Sequence, residues 1–167
     1  MGHGIAQIAG MSGFDVKLID LNQQLLDNAI QKIEWSLNKL SEKGRISKID
    51  ANETLRRIRT STKIEESCHS DFIIEAVPEN ISLKKSVFSM LNNIARDDAV
   101  LATNTSSLSI SDISSVVSEP SRVIGMHFFY PPQLMRLVEV VKGNSTTDNV
   151  VLTTLDTAKK WEKIQYW

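Results

Sequence analysis

The chain is poor in the features that define several protein classes. It has a single cysteine, Cys68, so an intrachain disulfide is excluded and a reducing compartment suits it. With 19 basic and 20 acidic residues the formal net charge is −1, which gives no electrostatic case for nucleic acid or for an acidic membrane surface. The three histidines, His3, His69 and His127, are scattered and have one cysteine between them to work with, so no metal site is expected. No apolar run approaches the ~20 residues that span a bilayer. Met1-Gly2-His3-Gly4 has neither the charged region nor the apolar stretch of a secretory signal. No internal repeat or low-complexity linker interrupts the chain. What remains is 167 residues, 41% hydrophobic and 23% charged, enough for one globular domain with a real core.

Strand and helix signals alternate along it. Residues 14–20 read as a strand ending in Asp20. Leu26, Ile30, Ile33, Leu37 and Leu40 follow at spacings of 4, 3, 4 and 3, an apolar stripe along one long helix that Gly44 breaks. Ser47-Lys48-Ile49-Asp50 resembles a capping box opening a second helix through Leu55 and Ile58, so residues 23–59 form a helical hairpin. Residues 72–77, closed by Pro78, are a nearly continuous apolar run of the kind buried on both faces of a parallel sheet. Leu83, Val87, Met90 and Ile94 repeat at helical spacing. Strands are expected at 99–102, 123–126 and 137–141, with helices at 111–117 and 147–161. The alternation argues for an α/β, doubly wound parallel sheet with an inserted helical hairpin.

Within this frame a few residues carry chemistry. His127 has Ser106 21 positions before it and Glu139 12 positions after it. A histidine changes charge near neutral pH, a carboxylate holds one ring nitrogen protonated, and a hydroxyl orients a substrate oxygen; together they are the inventory of a general-base site. Each has a plainer reading. His127 could be a core histidine satisfied by backbone groups, although Pro131-Pro132 soon after it cannot continue a ladder and put it at a strand end, where open α/β sheets hold ligands. Glu139 could be an outward-facing charge among valines, and Ser106 and Ser107 could cap the next helix. Asp20 stands at a strand end 18 positions after Gly2, where a carboxylate accepts hydrogen bonds from the ribose of a dinucleotide; otherwise it is a solvated aspartate opening a turn. Gly2 and Gly4 alone would indicate only a flexible terminus.

Asn104-Thr105-Ser106-Ser107-Leu108, Gly125-Met126-His127-Phe128-Phe129-Tyr130-Pro131 and Leu137-Val138-Glu139-Val140 resemble the active-site region of the L-3-hydroxyacyl-CoA dehydrogenase family, whose pattern is close to N-T-S-S-L, H-F-F-N-P and L-V-E-V. Met1-Gly2-His3-Gly4-Ile5-Ala6 is similar to the tail of that family's G-x-G-x-M-G-x-G-I-A fingerprint, which makes Gly2 the third fingerprint glycine, allowing close packing of helix against strand. The similarity covers nearly the whole chain, from Met1 to about Val141 and more weakly through Ile164.

The resemblance implies a Rossmann-type NAD-binding domain spanning residues 1–167, incomplete because its first strand is missing. It implies reversible, NAD-dependent oxidation of L-3-hydroxyacyl-CoA to 3-ketoacyl-CoA, as in fatty-acid β-oxidation or butanoate metabolism. His127 would remove the hydroxyl proton as hydride leaves C3 for the nicotinamide, Glu139 would orient the imidazole, and Ser106 would hydrogen-bond the reacting oxygen. Gly2, Asp20, Glu79, Lys84, Ser106 and Tyr130 would lie along the cofactor. No arginine follows Asp20 immediately, so NAD is favoured over NADP. Ser36, Lys43 and Ser106 would contact the acyl-CoA substrate. For Glu79 and Lys84 a helix-start acid and a solvated helix lysine are equally good readings, and for Ser36 and Lys43 so are two exposed polar residues.

Tyr130 departs from the family pattern by replacing an asparagine. The helical second domain, which makes the homodimer of full-length members, is absent from these residues. A prokaryotic protein of this kind would be cytoplasmic. Two other readings stand beside the dehydrogenase: a nonenzymatic remnant, and a related dehydrogenase of a small hydroxy acid or sugar acid.

Overall fold

The computed structural model describes residues 1–166, which fall into two compact units. The first comprises residues 1–66 together with 130–134. It opens with helix α1 (Gly2–Met11), followed by strand β1 (Val16–Ile19), helix α2 (Gln23–Glu42), helix α3 (Lys48–Arg57) and strand β2 (Ile58–Ser61). Local chemistry accounts for the boundaries. The Asn22 side chain accepts from the Gln24 N–H at 2.8 Å to start α2. Gly44, at φ 66°, ends the α2 turn in the left-handed region. Ser47 and Asp50 form the reciprocal capping box at the head of α3.

The apolar stripe of α2 does what its spacing implies. Ile33 and Leu37 are fully buried and join Ala6, Ala51 and Ile58 in one cluster, with Val16, Leu18 and Leu55 packed against it. The expected hairpin of residues 23–59 is shorter by two residues, because α3 stops at Arg57 and Ile58 begins a strand. That strand, β2, pairs in parallel with β1, Val16 opposite Ile58 and Ile19 opposite Ser61. Its sequence, Ile-Arg-Thr-Ser, has one apolar residue and showed no strand pattern; only tertiary pairing makes it one.

The second unit comprises residues 67–129 and 135–166. Its elements are β3 (Phe72–Glu75), α4 (Ile81–Ile94), β4 (Val100–Thr103), α5 (Ile110–Ser114), β5 (Val123–Phe128), β6 (Leu137–Lys142), α6 (Asp148–Lys160) and β7 (Ile164–Tyr166). They build a five-stranded sheet in the order β3-β4-β5-β6-β7. β3, β4 and β5 are mutually parallel, β6 runs antiparallel to β5, and β7 is parallel to β6. β4 is buried at every position, as its unbroken apolar run required. β7 lies beyond the last expected helix and was not anticipated. The α/β fold with parallel strands and crossover helices therefore stands, divided into sheets of two and five strands and closed on one side by an antiparallel hairpin. Among the described residues no helix is long and apolar enough to cross a membrane.

Candidate active site

The hairpin β5–β6 brings the histidine and the glutamate together. Its register sets His127 directly opposite Glu139, so their side chains leave the same face of the sheet as a cross-strand pair. His127 Nδ1 lies 2.7 Å from Glu139 Oε2. An ionised carboxylate only accepts hydrogen bonds, so opposite one Nδ1 is the donor, and a neutral imidazole held this way keeps its lone pair on Nε2. Val138 and Val140, on the other face, are buried at 0% and 3%, and this is what turns Glu139 toward the histidine. The His127 ring is 18% exposed, with the Phe129 ring tilted against it at 4.8 Å. A histidine anchored on one nitrogen by a carboxylate, shielded but reachable, has the geometry that a general base needs and is not a core histidine satisfied by backbone.

Ser106 sits in the exposed turn after β4 and does not cap α5. That cap is Ser109, whose hydroxyl accepts from the Asp112 N–H at 3.1 Å. The turn itself is held by Thr105, whose hydroxyl accepts from the Leu108 N–H at 3.0 Å. Ser106 and His127 share no direct hydrogen bond among the described residues. The turn is tied to the histidine strand two residues before Ser106 and one after His127: Asn104 Oδ1 accepts from the Phe128 N–H at 2.8 Å. Asn104 thus has a structural role that its place in the motif did not disclose.

Glu79 and Lys84 are neither a simple helix-start acid nor a solvated lysine. Asn80 caps α4, accepting from the Leu83 N–H at 2.9 Å. Glu79 Oε1 accepts from the Ser106 N–H at 3.0 Å, from the Ser106 hydroxyl at 3.4 Å and from the Thr105 hydroxyl. Burial opposes ionisation of Glu79, but the Thr105 hydroxyl, the Ser106 N–H and Lys84 outweigh it and hold the carboxyl below its ordinary value. Lys84 is fully buried. Its ammonium lies 2.9 and 3.1 Å from the two oxygens of Glu75, 3.3 Å from the Val77 carbonyl and 3.4 Å from Glu79 Oε2. Its three donors face four acceptors of the protein, so Lys84 is engaged in an internal ion pair that reaches Glu79. Glu75, buried at 4%, also accepts from the Thr103 hydroxyl at 2.6 Å and the Val77 N–H at 2.7 Å. It interrupts the apolar run of residues 72–77 in the sequence, with no signal of this role.

In the first unit, Asp20 follows β1 directly, and its own N–H is bonded to the Ser61 carbonyl at 3.3 Å. Its side chain is exposed and makes no hydrogen bond or ion pair among the described residues. A free carboxylate at the carboxyl end of a parallel strand, beside a helix that begins with glycine, fits the adenosine ribose of a dinucleotide. The steric reason expected for Gly2 does not hold: a Cβ there would stand 3.8 Å from Leu18 Cδ1, an ordinary contact. The close approach is at Gly4, where a Cβ would come within 2.5 Å of Pro132. Ser36, half-buried on α2, accepts from Gln7 Nε2 at 3.0 Å, while Lys43 at the end of the same helix is exposed. Tyr130 is 74% exposed.

Residues 1–165 match the family model described as the 3-hydroxyacyl-CoA dehydrogenase, NAD binding domain. The chain belongs to this family. It is 39% identical to a 3-hydroxybutyryl-CoA dehydrogenase of Clostridioides difficile over 98% of its own length and 58% of that protein's. It is 37% identical to the 3-hydroxyadipyl-CoA dehydrogenase of Escherichia coli, over 98% of the chain and 34% of the relative. The crystal structure of a 3-hydroxybutyryl-CoA dehydrogenase from Escherichia coli superposes with a TM-score of 0.97 at 36% identity, covering 99% of this chain and 35% of that one. The corresponding Ralstonia eutropha enzyme gives 0.97 at 33% identity, over 99% and 58%. The chain therefore spans well under two thirds of the length of these relatives.

Proposed function

We propose that these residues form the NAD-binding, base-bearing domain of an L-3-hydroxyacyl-CoA dehydrogenase. The observation that carries this reading is the 2.7 Å pairing of His127 Nδ1 with Glu139 Oε2 on facing strands. It leaves Nε2 free to take the proton of a substrate hydroxyl, and the Glu139 charge stabilises the imidazolium that results. Ser106, exposed in a turn fixed by Glu79 and Asn104, donates a hydrogen bond to the reacting oxygen. NAD supplies the hydride acceptor, and that chemistry belongs to the cofactor. Asp20 holds its ribose, Gly2 opens the helix beneath its pyrophosphate, and Tyr130 occupies the position that carries asparagine in the family pattern. Glu79 borders the nicotinamide side and Lys84 supports it from within.

The acyl-CoA assignment draws on what the relatives are named for acting on, and on Lys43, an exposed cation suited to coenzyme A phosphates. A homodimer, if it follows the family pattern, uses chain beyond these residues.

The deciding experiment is His127→Gln in the enzyme that carries this chain, assayed with 3-hydroxybutyryl-CoA and NAD. We expect kcat to fall by about 10²-fold or more, with NAD affinity little changed. Unchanged turnover would remove the histidine from the mechanism.

A further inference from the structure

Glu75 and Lys84 form an ion pair with both side chains at 0% exposure. Such a pair is a poor source of stability, since desolvation offsets most of the attraction and well-packed apolar residues often do as well. Its position suggests a different use. Glu75 and Thr103 are register partners at the carboxyl ends of β3 and β4, the edge of the sheet where α/β proteins hold their ligands. Glu75 takes both the Thr103 hydroxyl and the Lys84 ammonium, and Lys84 in turn reaches Glu79 Oε2 at 3.4 Å. The other Glu79 oxygen accepts from the N–H and hydroxyl of Ser106. An unbroken series of charge-assisted contacts thus runs from the interior of the sheet to the serine.

We propose that Glu75 is a positioning residue: acting through Lys84 and Glu79, its buried carboxylate fixes the orientation in which Ser106 meets the reacting oxygen. Without it, Lys84 loses the partner that points its ammonium at Glu79, and Glu79 loses the cation that holds it over the turn. The substrate still binds, but the serine hydroxyl samples unproductive orientations, so the loss falls on the chemical step.

This rests on the role given to Ser106 above, and the test separates the two. In the enzyme that carries this chain, wild type, Glu75→Gln, Ser106→Ala and the double variant form a mutant cycle, with kcat and KM for 3-hydroxybutyryl-CoA measured alongside thermal melts. Glu75→Gln alone is expected to lower kcat about tenfold while KM moves less than about threefold. On the Ser106→Ala background the same change should cost less than about twofold, because positioning a serine has no effect once the serine is gone. An equal loss on both backgrounds makes Glu75 merely structural and overturns the proposal. If Glu75→Gln does not fold, Thr103→Val and Glu79→Gln perturb the same series and enter the same cycle, read by the same criterion. Ser106→Ala leaving turnover within about twofold would instead overturn the serine's own role, and the proposal with it, while the reading of His127 would stand on its own variant.

Discussion

Single residues here divide into those whose side chains face a ligand and those that hold them still. Asp20 is proposed for the first group, with an exposed carboxylate that makes no hydrogen bond or ion pair among the described residues. Asp20→Ala is therefore expected to weaken NAD binding and narrow the preference for NAD over NADP, because the charge that repels a 2′-phosphate is gone. Titration of both cofactors checks this, and tighter binding of NADP by the unmutated enzyme would sink the assignment. Glu139 belongs to the second group. Glu139→Gln keeps a hydrogen-bonding side chain opposite His127 but removes the charge that supports the imidazolium, so kcat should fall by about 10-fold or more. A turnover equal to wild type in steady-state assays would show that the histidine needs no carboxylate. Both residues are singled out by the sequence, Asp20 from its distance to Gly2 and Glu139 from the motif, and the pairing of Glu139 with His127 is what the structure brings together. The roles of Glu75, Asn104 and Thr105 are not legible there, because a residue that works by hydrogen-bonding another residue leaves no periodic or compositional trace.

Elements followed their sequence patterns wherever one was strong. The long helix of the hairpin, the apolar run of β4 and the capping box before α3 all formed where expected. β2 and β7 escaped notice because β2 has one apolar residue and β7 is only three residues long; each exists by pairing with a neighbour already in place. The hairpin that bears the base has a further requirement. A Cβ on Gly125 of β5 would stand 2.9 Å from Ile110 Cδ1 and 3.0 Å from Val141 Cβ, so glycine lets α5 settle against the face that carries His127 and Glu139. Gly125→Ala should cost about 1–3 kcal/mol through overpacking. Denaturant unfolding measures it, and a stability change below ~0.5 kcal/mol would mean that Ile110 moves aside freely.

For the molecule as a whole, electrostatics sets a lower limit of pH. Among the described residues, five carboxyls are held below their ordinary values. A hydrogen bond from Ser47 does this at Asp50, one from Lys17 at Glu66, one from Arg96 at Asp98 and one from Lys142 at Asp148. At Glu79 the turn donors prevail over burial. In each case the folded chain binds protons less readily than the unfolded one. Their stabilisation is complete above the unfolded values of 3.8 for Asp and 4.5 for Glu, and is lost as pH falls through the lower folded values. The melting temperature should accordingly fall in two stages: first as pH drops through about 6.5, because burial holds the His3 imidazole below that ordinary value, and then more steeply below about 4.5 as the carboxyls take up protons. A melting temperature that climbs toward pH 4 would reverse the sign of the argument.

Because His127 and Glu139 meet as opposite residues of a hairpin, their separation of 12 positions is not a chemical requirement. The turn beyond the strand ends can gain or lose residues without moving either group, provided the two strands keep their alignment. One extra residue within β5 or β6, between the pair and the turn, is another matter: it sends one of the two side chains to the far face among Met126, Phe128, Val138 and Val140. In related chains, insertions between the paired residues and the strand ends should therefore arrive in twos or not at all.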